Sequence, residues 1–245
     1  MLKTHFLTRV SLREDDIESF DKYPLSLPFL KTFDGLNFHP SVTFIVGENG
    51  SGKSTLLEGL AVAWGFNAEG GTINFSFNTV ETHSNLDQYL RVSKGIKRPS
   101  SGFFLRAESF YNVASEVDRL AIADYYGGKS LHEQSHGESF FSLFMHSFRG
   151  KGLYILDEPE AALSPDRQLS FLVRLHELVE SGCQFIIATH SPILMSYPNS
   201  EIYQISEDSI ELTAYEDTAH FQTTKNFLNN HALMIKNLTG ISDQA

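Results

Sequence analysis

Cysteine is almost missing from this chain. Among 245 residues there is one, Cys183, so no disulfide can close within the chain and a zinc site built on cysteines lacks its ligands. Cys183 itself comes just before the apolar segment 185–188 and reads as a small, partly buried residue. Basic residues are also scarce. Lys and Arg number 19 against 30 Asp and Glu, and the formal net charge of −11 argues against a surface given over to nucleic acid. Long apolar runs are missing too: none approaches the length that crosses a bilayer, and residues 1–7 lack the extended apolar stretch of a signal peptide. The expected address is cytoplasmic. Internal repeats, low-complexity segments and coiled-coil heptads are not seen.

What is present is an ordinary globular composition, 41% hydrophobic and 20% charged, long enough for a proper core. We expect one elaborated domain over 1–245, with no independent second domain. Extended segments at 4–13, 25–29, 36–38 and 42–46 suggest an antiparallel sheet in the opening third. Leu56, Leu57, Leu60, Ala61 and Trp64 recur at helical spacing. The Gly-rich segment 67–85 reads as a long loop. Arg91, Lys94, Lys97 and Arg98 form a basic cluster that reads as an exposed loop, with docking to nucleic acid or an acidic partner as the alternative. A helix is expected at about 111–126, an aromatic helix at 140–148 and buried strands at 153–156 and 185–188. Ser164-Pro165 has the residue types that start a helix, and Gly182 stops it. A hairpin over 201–215 and a terminal helix at about 220–238 complete an α/β pattern with a largely parallel sheet.

Directly after the apolar run 42–46 stands Gly47-Glu48-Asn49-Gly50-Ser51-Gly52-Lys53-Ser54-Thr55, a G-x-x-x-x-G-K-[ST] phosphate loop followed by a helix. Its glycines let backbone N–H groups curl around a di- or triphosphate, and the helix adds its positive end. Lys53 would bridge the terminal phosphates and the Ser54 hydroxyl would hold Mg²⁺. Asp157-Glu158 closes a strand of four apolar residues at the sheet edge where ligands bind in open α/β folds. Asp157 would hold Mg²⁺ opposite Ser54. Glu158 would orient or deprotonate the water that attacks the γ-phosphate. His190, in Ala188-Thr189-His190-Ser191-Pro192 at the end of the next strand, would contact that phosphate and water.

Together with Ser135-His136-Gly137-Glu138-Ser139, the segment 153–160 and Ala161-Ala162-Leu163-Ser164, these residues resemble the Walker A, signature, Walker B, D-loop and switch-histidine motifs of ATP-binding-cassette ATPases. The resemblance implies a P-loop NTPase fold with a mostly parallel core sheet, an N-terminal antiparallel β subdomain and a helical signature subdomain, inserted with a loop at about 68–150. It implies ATP held by Asn49, Gly50, Ser51, Gly52, Lys53, Ser54 and Thr55, and a head-to-tail homodimer formed when ATP is present. In that dimer Ser135, Gly137 and Glu138 would close on the partner's nucleotide.

The signature reads Ser-His-Gly-Glu, and Glu158 is followed by Pro159-Glu160, both departures from the transporter pattern. They resemble the soluble branch of chromosome-maintenance, recombination-repair and phage-defence ATPases. The glutamine that senses Mg²⁺ is missing. Glu108 is the candidate for its place, with a salt bridge to Arg106 or a surface position as alternatives. For stacking on adenine, Phe33, Phe38 and Tyr23 remain open. The stretch between Lys53 and Asp157 is too short for a long coiled-coil arm, and little room follows His190 for a nuclease. The expected function is therefore a compact ATPase acting on an effector protein or nucleic acid in repair or defence; the alternative is the nucleotide-binding subunit of a membrane permease.

Overall fold

Alternating apolar side chains on three adjacent strands divide the interior into two layers. A computed structural model describes residues 5–72, 84–106 and 136–240. In chain order, β1 (Leu7–Leu12), β2 (Leu36–Asn37) and β3 (Val42–Gly47) precede α1 (Lys53–Trp64). Next come β4 (Gly71–Thr72), β5 (Leu90–Lys94), β6 (Ser101–Leu105), α2 (His136–Ser147) and β7 (Gly152–Asp157). The chain continues through α3 (Pro165–Glu180), β8 (Gln184–Ala188), the short α4 (Pro192–Met195), β9 (Ser200–Ile205), β10 (Ile210–Leu212) and α5 (Ala219–Thr239).

Among the described residues the main sheet has the order β10-β9-β3-β8-β7-β6-β4. Its five inner strands run parallel, and β10 and β4 are antiparallel edges. Strands buried on both faces are largely apolar, and β3, β7 and β8 are buried throughout, with Thr43, Asp157 and Gln184 as their buried polar residues. Val42, Phe44, Tyr154, Leu156, Phe185 and Ile187 face a layer that contains α2 and α3. Their neighbours Ile45, Leu153, Ile155 and Ile186 face α1 and the N-terminal strands. Aromatic packing holds the first layer: Phe144 stacks on Phe171 with centroids 4.1 Å apart, and Phe148 on Tyr154 at 4.2 Å. Truncating a buried ring of this kind typically costs about 3–5 kcal/mol.

The second sheet, β2-β1-β5, is antiparallel as the sequence suggests, but its third strand is not the expected one. Residues 25–29 lie in turns and the 3₁₀ helix Pro28–Thr32, because Pro24 and Pro28 cannot donate to a ladder. The place is taken by β5. Leu90 is buried and Val92 packs on the same core, so alternation rather than charge decides this segment. Arg91 and Lys94, read from the sequence as part of a loop, are therefore strand residues. Lys94 stands 4.4 Å over the Trp64 ring and its Nζ donates to Trp64 O at 3.2 Å.

Helix ends follow the residue types. Gly65, at φ +120°, terminates α1, and Ser164 Oγ accepts from the Arg167 N–H at 3.3 Å to start α3. The terminal helix α5 differs from the others, since none of its residues is buried. The helix expected at about 111–126 and most of the loop expected at 67–85 lie outside the described residues.

Candidate phosphate-binding and hydrolytic site

The parallel order β3-β8-β7 brings three chain exits to one edge: the phosphate loop after β3, Asp157-Glu158 after β7 and His190 after β8. Backbone bonds fix the exits, since the Glu158 N–H donates to Ala188 O at 2.9 Å and the Thr189 N–H to Ile45 O at 3.2 Å. Within the loop, Gly50 and Gly52 take φ of +79° and +94°. At Gly52 a Cβ would also come within 3.0 Å of both Leu27 and Phe29, so the position requires glycine on two grounds.

Lys53 is buried and its Nζ donates to Gly47 O and Glu48 O, each at 2.9 Å. The loop is thus closed around its own lysine. Burial lowers the Lys53 pKa, opposed by the nearby carboxylates of Glu158 and Asp157. Beside it, Ser54 Oγ donates to Asp157 Oδ1 at 3.2 Å. Asp157 is 5% exposed, and burial pushes its pKa up to about 7 against the Ser54 hydrogen bond. An exposed hydroxyl and a buried carboxylate that meet at this distance form an all-oxygen donor pair, the kind a hard divalent cation takes. Among the described residues no group of three or more His, Cys, Asp or Glu side chains could hold a metal. A cation here would take its remaining ligands from phosphate and water, as Mg²⁺ does.

Glu158 adopts φ +48°, ψ +53°, a left-handed conformation that costs a non-glycine residue about 1–2 kcal/mol. The turn aims its Oε1 to within 3.2 Å of His190 Nε2. The Glu160 carboxylate, one of the departures noted in the sequence, accepts from the His190 backbone N–H at 2.6 Å. On its other side His190 Nδ1 lies 2.9 Å from His220 Nε2. A cleft of about 640 Å³ opens over the loop, bounded by Pro28, Gly50, Ser206 and His220.

Lys53, Ser54, Asp157, Glu158 and His190 therefore meet at one place. Glu108 and Ser135 lie outside the described residues, as do the side chains of Glu138 and His136; Gly137 falls in the first turn of α2. Arg106 pairs with Glu58, Nη1 to Oε2 at 2.7 Å; the salt bridge to Glu108 that the sequence suggested lies outside the described residues. Of the three aromatic candidates, Phe33 and Phe38 are buried in the core, whereas Tyr23 is 63% exposed with its hydroxyl 3.1 Å from Thr55 Oγ1. Sequence reasoning missed Glu58 and His220. Glu58 carried a signal, an acid set among the apolar positions of α1; His220 belonged to no motif.

Two family models match the chain: "AAA domain" over residues 17–123, and "AAA domain, putative AbiEii toxin, Type IV TA system" over residues 129–196. Among curated proteins it is 25% identical over 171 residues to the ABC transporter G family member STR2 of Medicago truncatula, covering 62% of this chain and 24% of that protein. It is also 25% identical over 212 residues to the ribose import ATP-binding protein RbsA of Yersinia pestis bv. Antiqua, covering 78% and 39%. The chain thus spans less than half the length of these relatives. Among solved structures, the SMC head domain from Thermotoga maritima matches with TM-score 0.43 and 17% identity over 85% of this chain and 98% of that one. An ATP-binding cassette of an ABC transporter in its ADP conformation matches with TM-score 0.49 and 16% identity over 96% and 98%. With its phosphate loop, its acidic strand end and AAA domain matches over 17–123 and 129–196, the chain has the features of an ATPase-type P-loop domain and is similar to the ATP-binding-cassette class.

Proposed function

We propose that this chain hydrolyses ATP with Mg²⁺, and that ATP draws two copies together head to tail to drive a separate effector in repair or defence. The observation that carries the reading is the convergence of Lys53, Ser54, Asp157, Glu158 and His190 at one sheet edge. Each residue then has a task suited to its surroundings. Lys53 exchanges its two carbonyl contacts for phosphate oxygens, a trade that burial favours because an ammonium in a dry site gains most from an anion. Backbone N–H groups of 49–55 and the start of α1 cradle the phosphates. Ser54 and Asp157 would hold Mg²⁺, with Glu108 as a further candidate. The chemistry the ion supplies when bound is neutralisation of charge on the phosphate oxygens.

Glu158 orients the attacking water and takes its proton, and His190 offers an N–H to the γ-phosphate as charge develops there. Tyr23 is the aromatic best placed to stack on adenine, being exposed and next to Thr55. The signature residues Ser135, Gly137 and Glu138 would complete the site of the other copy. In this reading 1–245 is one cassette domain working in the cytoplasm, with about 68–150 as its inserted loop and helical part.

The test is light scattering of the Glu158→Gln protein with and without Mg·ATP. A nucleotide-dependent dimer is expected. A monomer that binds ATP would overturn the dimer, and a protein that binds no ATP would overturn the whole reading. A second reading, the nucleotide-binding subunit of a membrane transporter, is favoured by the names of the curated relatives. It predicts that a permease co-purifies with the Glu158→Gln dimer.

A further inference from the structure

Both ring nitrogens of His190 have a polar neighbour within 3.2 Å, and the neighbours differ in kind. Nε2 makes no well-directed hydrogen bond but lies 3.2 Å from a Glu158 carboxylate oxygen, whose negative charge repels a bare nitrogen lone pair and attracts an N–H, so the hydrogen belongs on Nε2. A neutral imidazole with its proton on Nε2 has a bare Nδ1. That nitrogen lies 2.9 Å from His220 Nε2, so His220 must be the donor there. The remaining nitrogen of His220 agrees with this assignment. His220 Nδ1 is buried and has no hydrogen-bond partner among the described residues, a tolerable state for a bare lone pair and a costly one for an N–H.

The backbone that carries His220 is held in place from several directions. Thr218, fully buried, starts α5 by accepting from the Phe221 N–H at 3.4 Å. The Ala219 N–H donates to Gln204 Oε1 at 2.9 Å, tying the first turn of α5 to β9. Tyr215 Oη donates to Pro192 O at 3.0 Å, tying the approach to α5 to the segment just after His190. Although no residue of α5 is buried, its first turn is thus fastened on both sides of the site. The rings of His190 and His220 meet edge to face with centroids 5.1 Å apart.

We propose that His220 is a positioning residue for the hydrolytic site: its Nε2–H donates to His190 Nδ1 and so holds His190 in the tautomer and orientation that present an N–H toward Glu158 and the γ-phosphate. The assignment of His190 to ATP hydrolysis rests on the function proposed above; the tautomer does not. His220 touches no phosphate in this account and acts through His190. Burial, and then the proximity of His190, lower the pKa of His220, which keeps it a neutral ring with one hydrogen to give.

Two measurements test the proposal. Long-range ¹H–¹⁵N spectra of histidine-labelled protein without nucleotide, assigned with a His190→Gln variant, report which nitrogen of each ring is protonated. The expected result is a hydrogen on Nε2 of both His190 and His220, and a His190 that becomes a tautomer mixture in His220→Phe. A hydrogen on Nδ1 of His190, or a His190 signal unmoved by His220→Phe, would overturn the proposal, whether or not the protein turns over ATP. The second is steady-state kinetics. His220→Phe should lower kcat about ten- to a hundredfold with the KM for ATP little changed, the cost of a misplaced group. His220→Gln, whose amide nitrogen replaces the imidazole donor, should recover most of the loss. Equal impairment of the Gln and Phe variants, or undiminished kcat in His220→Phe, would refute it. A wild-type protein with no ATPase activity would sink the proposed function and leave the tautomer test standing.

Discussion

Glu58, on the inner side of α1, has both carboxylate oxygens occupied: Oε2 by Arg106 at 2.7 Å, and Oε1 by the Ser84 N–H at 2.7 Å and Oγ at 2.9 Å. Its side chain is 6% exposed. Glu158, one residue beyond β7, is 35% exposed, sits on a left-handed backbone and meets one histidine at 3.2 Å. Two glutamates of one chain thus stand at opposite limits of partnering. A buried carboxylate is tolerated when every lone pair is answered, and such a group has nothing left to offer a substrate. A carboxylate held by a costly turn beside a cleft keeps capacity for a proton and a water.

Exchanging the two roles by mutation is the strongest way to break this comparison. Glu158→Gln should reduce ATP turnover by about 10²–10⁴-fold, the usual contribution of a general base, while the melting temperature stays near that of wild type. Turnover at the wild-type rate would remove Glu158 from the chemistry. Glu58→Ala should do the reverse, costing about 3 kcal/mol in denaturant unfolding because it removes the carboxylate 2.7 Å from the Arg106 guanidinium. ATP affinity of the folded fraction should be kept. A joint Glu58→Leu, Arg106→Met variant should recover part of that stability, since an apolar pair removes both desolvated charges but leaves the Ser84 N–H and hydroxyl without their acceptor. If Glu58→Ala proved as stable as wild type, full partnering would not be what the pair contributes.

Asp157 lies between these limits, buried like Glu58 yet short of partners like Glu158. Its folded pKa, about 7, stands above the unfolded value of 3.8, so the folded protein holds the proton more tightly. Stability without nucleotide is therefore highest below pH about 4 for this group, falls as pH rises through about 7, and is level beyond. Asp157→Asn should remove that slope and leave the nucleotide-free variant roughly 2–3 kcal/mol more stable than wild type at pH 8. The difference should vanish near pH 4. A wild-type melting temperature that rises between about pH 5 and pH 8, with no effect of the substitution, would show the carboxyl to be ionised without cost.

How much of this could be read in advance depends on the range of the interaction. Helix α1 matches its periodic leucines and β7 and β8 match their apolar runs, because period and length are local signals. The meeting of Lys53, Asp157 and His190 was legible because the phosphate loop, Asp157 and His190 each come at or just after the end of a strand that a parallel sheet must align. β5 was hidden by its charges, since Arg91 and Lys94 look like loop residues until the alternation of Leu90 and Val92 is matched to a core. His220 and the Glu58 to Arg106 pair were illegible for another reason. Their partners lie 30 or more residues away with no motif to link them, and only the closed fold sets the distances.

The smallest effect separates two lysines of the basic segment. Lys94 lies over the Trp64 ring and caps the Trp64 carbonyl, so its charge is spent on the end of α1. Lys97 is exposed beyond the strand end. Lys94→Ala should therefore cost about 1 kcal/mol, the sum expected of a modest cation–π contact and one partly exposed hydrogen bond, whereas Lys97→Ala should cost nothing measurable. Neither should alter ATP turnover. Binding of short duplex DNA, measured by fluorescence anisotropy at low salt, then distinguishes a structural from a docking use of the segment. A protein with a net charge of −11 and one of these lysines committed to Trp64 should show little affinity, and none that Lys97→Ala removes. Tight, salt-sensitive binding lost in Lys97→Ala would instead make this strand end a nucleic-acid contact.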